Sequence, residues 1–175
     1  LSSAYIPISA AIIPSFMYEA MREPSAKVGV FGHGYTYTGH PTACAAALKT
    51  IEIYQRDRLF EHAAIVGAYM QSRLHEFEDH PLVGNVRGKG LIGAIELVAD
   101  KKTRTPFADA SIGAFLKQTC QDHGLLIRAV GGNCIAFCPP LIITELQIDE
   151  MMGLFNTALD EALIYANAQG LLTLR

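Results

Sequence analysis

No apolar run in this chain approaches the roughly 18 residues that a membrane-crossing helix needs, so no span is predicted. Cysteine is sparse: Cys44, Cys120, Cys134 and Cys138 are scattered along 175 residues. A disulfide framework needs denser pairing in a small secreted chain. Cys134 and Cys138 stand four apart and would share a face of a strand, but a zinc site needs two more ligands and no second pair exists. Reduced, buried thiols are therefore expected, and with them a cytoplasmic location. Excess charge of one sign is also missing. A formal net charge of −3 offers no basic surface for nucleic acid or an anionic membrane, and neither is expected as a partner. No internal repeat or low-complexity tract occurs. The opening Leu1-Ser2-Ser3 has neither an initiator Met nor the basic-then-apolar order of a signal peptide, and it reads as a cut into a longer chain.

What is present is half apolar, enough for a sizeable core. The most informative stretch is Phe31-Gly32-His33-Gly34-Tyr35-Thr36-Tyr37-Thr38-Gly39-His40-Pro41. Glycines allow backbone N–H groups to approach an anion, and threonine hydroxyls add donors. Pro41 suits the first position of a helix, whose N-terminal field favours a phosphate. Composition equally allows a glycine-rich loop between two packed elements. Within it Thr36 and Thr38 are rival phosphate ligands, and a third reading makes both hydroxyls structural caps near Pro41.

Periodicity supplies the elements. Residues 5–13 read as a buried strand or extended segment. A short helix covers 15–21, with Arg22-Glu23-Pro24-Ser25 ending it. The helix from Pro41 opens on small residues, Ala43, Ala46 and Ala47, and its first turns should be buried against a sheet or a partner subunit. A second helix covers about 59–77, with Leu59, Val66, Met70 and Leu74 on its apolar stripe. The period then changes to two: residues 82–87 and 91–98 read as strands joined by Gly88-Lys89-Gly90. Residues 110–122 read as a helix stopped at His123-Gly124. Strands over 125–128 and 133–137 follow, turning at Gly131-Gly132. Thr144-Glu145-Leu146-Gln147 is a capping box opening a helix that reaches about Ala168. From residue 82 the order strand, strand, helix, strand, strand, helix predicts an α+β sandwich with helices on one face of a mostly antiparallel sheet. Glu96 should turn toward solvent or an ion pair. His33 and His40 have no orienting partner and read as structural. Tyr5, Phe31 and Tyr35 suit core or interface more than a substrate wall.

The glycine loop followed by Thr42-Ala43-Cys44-Ala45-Ala46-Ala47-Leu48 resembles the phosphate-side loop of the class III aminotransferases, the omega-transaminase branch above all. The opening residues 1–10 are similar to the segment after the lysine that forms the Schiff base there. Arg128, followed by Cys138-Pro139-Pro140-Leu141-Ile142-Ile143-Thr144, resembles the carboxylate-binding arginine and the turn after it. The resemblance implies an α/β fold overall, pyridoxal-phosphate-dependent fold type I. It makes residues 1–57 the end of the large cofactor domain, 58–80 a linking helix, and 81–175 the small α+β domain.

The resemblance also implies function. Pyridoxal 5'-phosphate is the expected cofactor, its phosphate bound by Thr36 across a homodimer interface, with Gly34 and Tyr35 beside it. Arg128 is expected to hold the carboxylate of pyruvate or an amino acid with its planar fork, and to swing away from an uncharged amine. The reaction would move an amino group between a primary amine or omega-amino acid and a 2-oxo acid. The Schiff-base lysine is expected upstream of Leu1, since Lys27 and Lys49 stand outside the motif. No catalytic residue is therefore assigned within the chain, and these 175 residues alone are not expected to be active. The alternative is a non-catalytic α+β dimerisation or binding module that lacks the lysine.

Overall fold

Alternating apolar residues in the second half of the chain build an antiparallel sheet that three helices cover. The structure, a computed structural model, describes residues 1–172. The last three residues of the expected 81–175 domain lie outside the described residues. The chain divides into two units, Leu1–Arg58 and Leu59–Arg175.

In the first unit α1 spans Ser15–Val28 and α2 spans Pro41–Arg56. α1 does not stop at Arg22-Glu23-Pro24-Ser25: it runs through Pro24 to Val28. Proline deprives the Ala20 carbonyl of its helical donor. No residue of α1 is buried, so water can satisfy that carbonyl. The expected buried strand at 5–13 is not formed. The segment bends at Tyr5 and Ile6 and carries no regular structure beyond, with Tyr5 92% and Ile12 96% exposed. A strand needs a neighbour for its N–H and C=O groups, and the described residues 1–58 contain no other strand. In α2, Ala43 and Ala47 are buried as expected, but the covering element is not a sheet. Residues 7–10 lie across a hollow from Ala43 and Cys44, and Ser3 Oγ lies 3.2 Å from Tyr54 Oη.

The second unit opens with α3, Leu59–His75, which ends in a 3-10 turn, Glu76–Asp79. Strands β1 (Val83–Lys89) and β2 (Ile92–Asp100) follow. Their turn is not Gly88-Lys89-Gly90, because Lys89 pairs with Ile92 and leaves only Gly90 and Leu91 at the tip. Gly90 takes φ +58, which a two-residue hairpin needs and an L side chain resists. β3 (Thr105–Pro106) pairs with β2; then come α4 (Ser111–Asp122), β4 (Arg128–Val130), β5 (Cys134–Phe137) and α5 (Glu145–Ala168). The sheet order is β1-β2-β5-β4, with every pair antiparallel.

Alternation along β2 buries Gly93, Ile95 and Leu97 and turns Glu96 to the other face. There Arg87 Nη1 donates to Glu96 Oε2 at 2.7 Å, so Glu96 faces solvent and an ion pair together, the two alternatives the pattern left open. α3 packs on β1 and β2, α4 on β4 and β5, and α5 lies against α3 and α4. Phe155 of α5 sits at the centre, edge-on to Phe77 at 5.1 Å and to Phe137 at 5.0 Å. Such edge-to-face pairs add to area burial. Cys120 is buried in the same core, and desolvation pushes its thiol up to about 12, so it has no thiolate chemistry at neutral pH.

Candidate functional site

Two turns bring the glycine loop into α2. Thr38 N donates to the Tyr35 carbonyl at 2.9 Å, and His40 N donates to the Tyr37 carbonyl at 3.2 Å. The first turn is clamped a second time, because Tyr35 N donates to Thr38 Oγ1 at 2.8 Å. Thr38 is therefore tied into the loop. The Thr36 hydroxyl, in the exposed middle of the same turn, has no hydrogen-bond partner among the described residues. The capping reading is not met either. His40 is the N-cap of α2, and no side chain caps that helix.

The glycines divide in the same way. Gly39 takes φ +71, while Gly34 has no positive φ, and a Cβ there would meet only Thr38 Oγ1 at 3.9 Å. Gly34 thus keeps space open beside the turn. Tyr35 is 81% exposed, with its ring steeply inclined to that of His33, centroids 6.0 Å apart. The first intrahelical bond of α2 runs from Cys44 N to the His40 carbonyl, so the Thr42 and Ala43 N–H groups ahead of it have no acceptor among the described residues. A hollow of about 610 Å³, lined by residues 7–10, Tyr35, Tyr37, Thr38 and the start of α2, lies beside this loop. Thr36 and Gly34 do not line this hollow, but a free hydroxyl and unpaired helix N–H groups within one short stretch of chain are the kinds of donor that suit a phosphate.

Gly34, Tyr35 and Thr36 thus stand together in one loop of the first unit. Arg128 belongs to the second unit. It is the first residue of β4, not the last residue of a strand over 125–128. The reason lies at the end of α4, where Gly124 N donates to the Gln121 carbonyl and Leu125 N to the Cys120 carbonyl. This Schellman closure, with Gly124 at φ +90, uses up the backbone of 124–125 before the chain can enter the sheet. The Arg128 backbone pairs with Ala136, and its exposed guanidinium has no hydrogen bond or ion pair among the described residues. An unpaired planar fork is free to take a carboxylate.

Sequence reading missed Asn133. α4 has Ala110 as its N-cap, which has no side chain to cap with, and Asp109 Oδ1 accepts only the first N–H, from Ser111 at 2.9 Å. Asn133 provides that function from twenty residues away in sequence, with Oδ1 accepting from Gly113 N at 3.0 Å and Nδ2 donating to the Asp109 carbonyl at 2.6 Å. The available signal was an asparagine directly after Gly131-Gly132. Among the described residues no group of His, Cys, Asp or Glu is placed to hold a metal ion, and no helix is long and apolar enough to cross a membrane.

A family model described as aminotransferase class III matches residues 1–159. The chain is 41% identical over 162 residues to a putrescine–pyruvate aminotransferase of Pseudomonas aeruginosa, covering 92% of this chain and 34% of that protein. It is 38% identical over 162 residues to a mitochondrial gamma aminobutyrate transaminase of Solanum lycopersicum, covering 92% and 31%. Among solved structures, the omega transaminase of Pseudomonas jessenii in complex with PMP superposes with a TM-score of 0.89 at 41% identity, over 95% of this chain and 37% of that one. The chain spans about a third of the length of the curated relatives it matches.

Proposed function

The chain belongs to the class III aminotransferases and shares the α/β fold of its solved relatives, and on that premise we propose that it works as part of a transaminase. The reaction moves an amino group between a primary amine or omega-amino acid and a 2-oxo acid such as pyruvate. The observation that carries this reading is the free Thr36 hydroxyl, held in a turn that Thr38 closes.

Pyridoxal 5'-phosphate, when bound, supplies the electron sink that amino-group transfer requires. This chain's part is to hold and to orient. Thr36 would donate to the phosphate, Gly34 leaves the approach open, and the backbone beside Tyr35 fixes the turn. Arg128 would grip the carboxylate of the 2-oxo acid or amino acid and turn outward when an uncharged amine binds. Its exposed, unpaired guanidinium supports that double use. The catalytic lysine is assigned upstream of Leu1.

We also propose a homodimer with shared active sites, in the cytoplasm. Tyr5, Ile12, Val28, Val30, Phe31 and Tyr35 are all exposed in the first unit, and their apolar side chains support a partner surface there. Of the four free cysteines Cys120 is buried, Cys44 and Cys134 are half-buried and Cys138 is exposed, so the expected burial of the thiols is met at Cys120 alone. The division into residues 1–57, a linking helix at 58–80 and a small domain from 81 stays part of this proposal.

The test is cofactor retention. In the full-length protein, Thr36→Ala should lose bound pyridoxal phosphate on dialysis about tenfold more readily than wild type, read by visible absorbance, because one charge-assisted hydrogen bond is worth on the order of 1.5 kcal/mol. Retention equal to wild type would remove the phosphate assignment.

A further inference from the structure

Arg128 stands on a short edge strand of its sheet. β4 has three residues and, among the described residues, pairs only with β5. The guanidinium has no partner among the described residues, so no side-chain contact aims it. Its position therefore depends on where the backbone of β4 is held. One end of that strand runs into the turn Gly131-Gly132, and this turn is fastened to α4.

The fastening is specific. Asn133 Oδ1 accepts from Gly113 N at the third position of α4, and Asn133 Nδ2 donates to the Asp109 carbonyl just before the helix. The Asn133 carbonyl in turn accepts from Leu97 N of β2 at 2.9 Å. One residue thus joins the hairpin turn to a helix N-terminus and to the central sheet. The two surfaces meet without clearance. A Cβ at Gly113 would collide with the Gly132 carbonyl oxygen, and one at Gly132, where φ is +97, would come within 3.1 Å of Ala110 Cβ. Gly131 and Gly132 both take positive φ, at +60 and +97, so no side chain in the turn braces it from outside. Without the Asn133 amide the turn keeps its packing against α4 but loses both hydrogen bonds that fasten it there.

We propose that Asn133 is a positioning residue for substrate carboxylates: it docks the β4–β5 turn on α4 and so sets the place from which Arg128 reaches the carboxylate. This inference rests on the reading of Arg128 as the carboxylate ligand. Removing the dock should weaken binding of substrates that carry a carboxylate and spare those that do not, since only the former use Arg128.

The experiment uses the full-length, cofactor-loaded enzyme with pyruvate as acceptor and benzylamine as a donor without a carboxylate, in wild type, Asn133→Ala, Asn133→Asp and Arg128→Ala. Asn133→Ala should raise the KM for pyruvate about tenfold, the order expected from a small displacement of a binding group. The KM for benzylamine and kcat at saturating substrates should stay within about twofold. Asn133→Asp keeps the acceptor for Gly113 N–H and loses the donor, so its pyruvate KM should fall between the two. If Asn133→Ala does not fold, a selective rise in pyruvate KM for the Asp variant carries the test alone. Parallel losses for pyruvate and benzylamine would reduce Asn133 to a structural residue and overturn the proposal. So would an unchanged pyruvate KM in Asn133→Ala beside a raised one in Arg128→Ala, which leaves the carboxylate reading intact. An unchanged pyruvate KM in Arg128→Ala would overturn the carboxylate reading itself, and this proposal with it.

Discussion

Thr36 and Thr38 carry the same hydroxyl two residues apart, and hydrogen bonding separates their roles. Thr38 Oγ1 accepts from Tyr35 N and holds the turn, while Thr36 Oγ1 has no partner among the described residues. Sequence could only pose them as rivals, because both flank Tyr37 in a glycine-rich loop and either could face an anion. The structure makes them complementary, one a clamp and the other available. Thr38→Ala should therefore also loosen cofactor binding, by about threefold to tenfold, since a neutral hydrogen bond contributes about 1 kcal/mol. Thr38→Ser, which keeps the oxygen, should restore most of that loss. Dialysis followed by absorbance reads both, and a Ser variant as leaky as the Ala variant would deny Thr38 the clamping role.

At the scale of elements, boundaries written by neighbouring residues were legible and those written at a distance were not. The capping box is local: Gln147 N donates to Thr144 Oγ1 at 3.3 Å and Thr144 N donates to Gln147 Oε1 at 3.0 Å, and α5 starts where these residues predict. Thr144→Ala should cost about 1 kcal/mol in denaturant unfolding, the usual worth of a good N-cap. A loss below about 0.3 kcal/mol would mean that packing of α5, not its cap, sets that end. The glycine stop of α4 was equally readable, since Gly124 follows His123 and only glycine takes φ +90 with ease. The start of β4 was not. The apolar run 125–127 looked like strand, but the Schellman closure had already committed its first residues. α1 likewise passed a proline that local rules treat as a stop, because an exposed helix can leave one carbonyl to water.

At the scale of the molecule, the second unit owes its order to one core in which the 3-10 turn, the sheet and α5 meet, and His80 reports on that junction. Leu82 N donates to His80 Nδ1 at 3.2 Å, and His80 Nε2 faces Asp160 of α5 at 3.4 Å. Burial pushes the imidazole below its ordinary value near 6.5; Asp160 opposes that shift and Lys101 adds to it. The folded state therefore resists a proton that the unfolded chain accepts. His80 contributes stability above pH about 6.5, and this is lost as pH falls below that value toward the lower folded one. Wild type should lose melting temperature between pH 7 and pH 5 more steeply than His80→Asn, whose amide oxygen can still accept from Leu82 N. Equal slopes would remove His80 from the pH response.

The same scale shows where the chain's own order of residues suffices. Alternation in 91–98, the stripe of α3, the capping box and the stop at Gly124 each depend on groups within about five residues of one another, so their hydrogen bonds and faces follow from adjacent side chains. The glycine loop and Arg128 were singled out by the resemblance of the residues around them to a known family, because neither glycine, with 15 residues, nor arginine is rare in this chain. Asn133, the division of labour between Thr36 and Thr38, and the exposed course of residues 5–13 needed the folded molecule. Asn133 meets Gly113 twenty residues away only because the sheet and α4 bring a hairpin turn to a helix end. A strand at 5–13 required a neighbour that no local pattern can supply. Hydrogen bonds between distant segments are worth forming only after the core has closed the intervening loops, and that closure is a property of the whole fold.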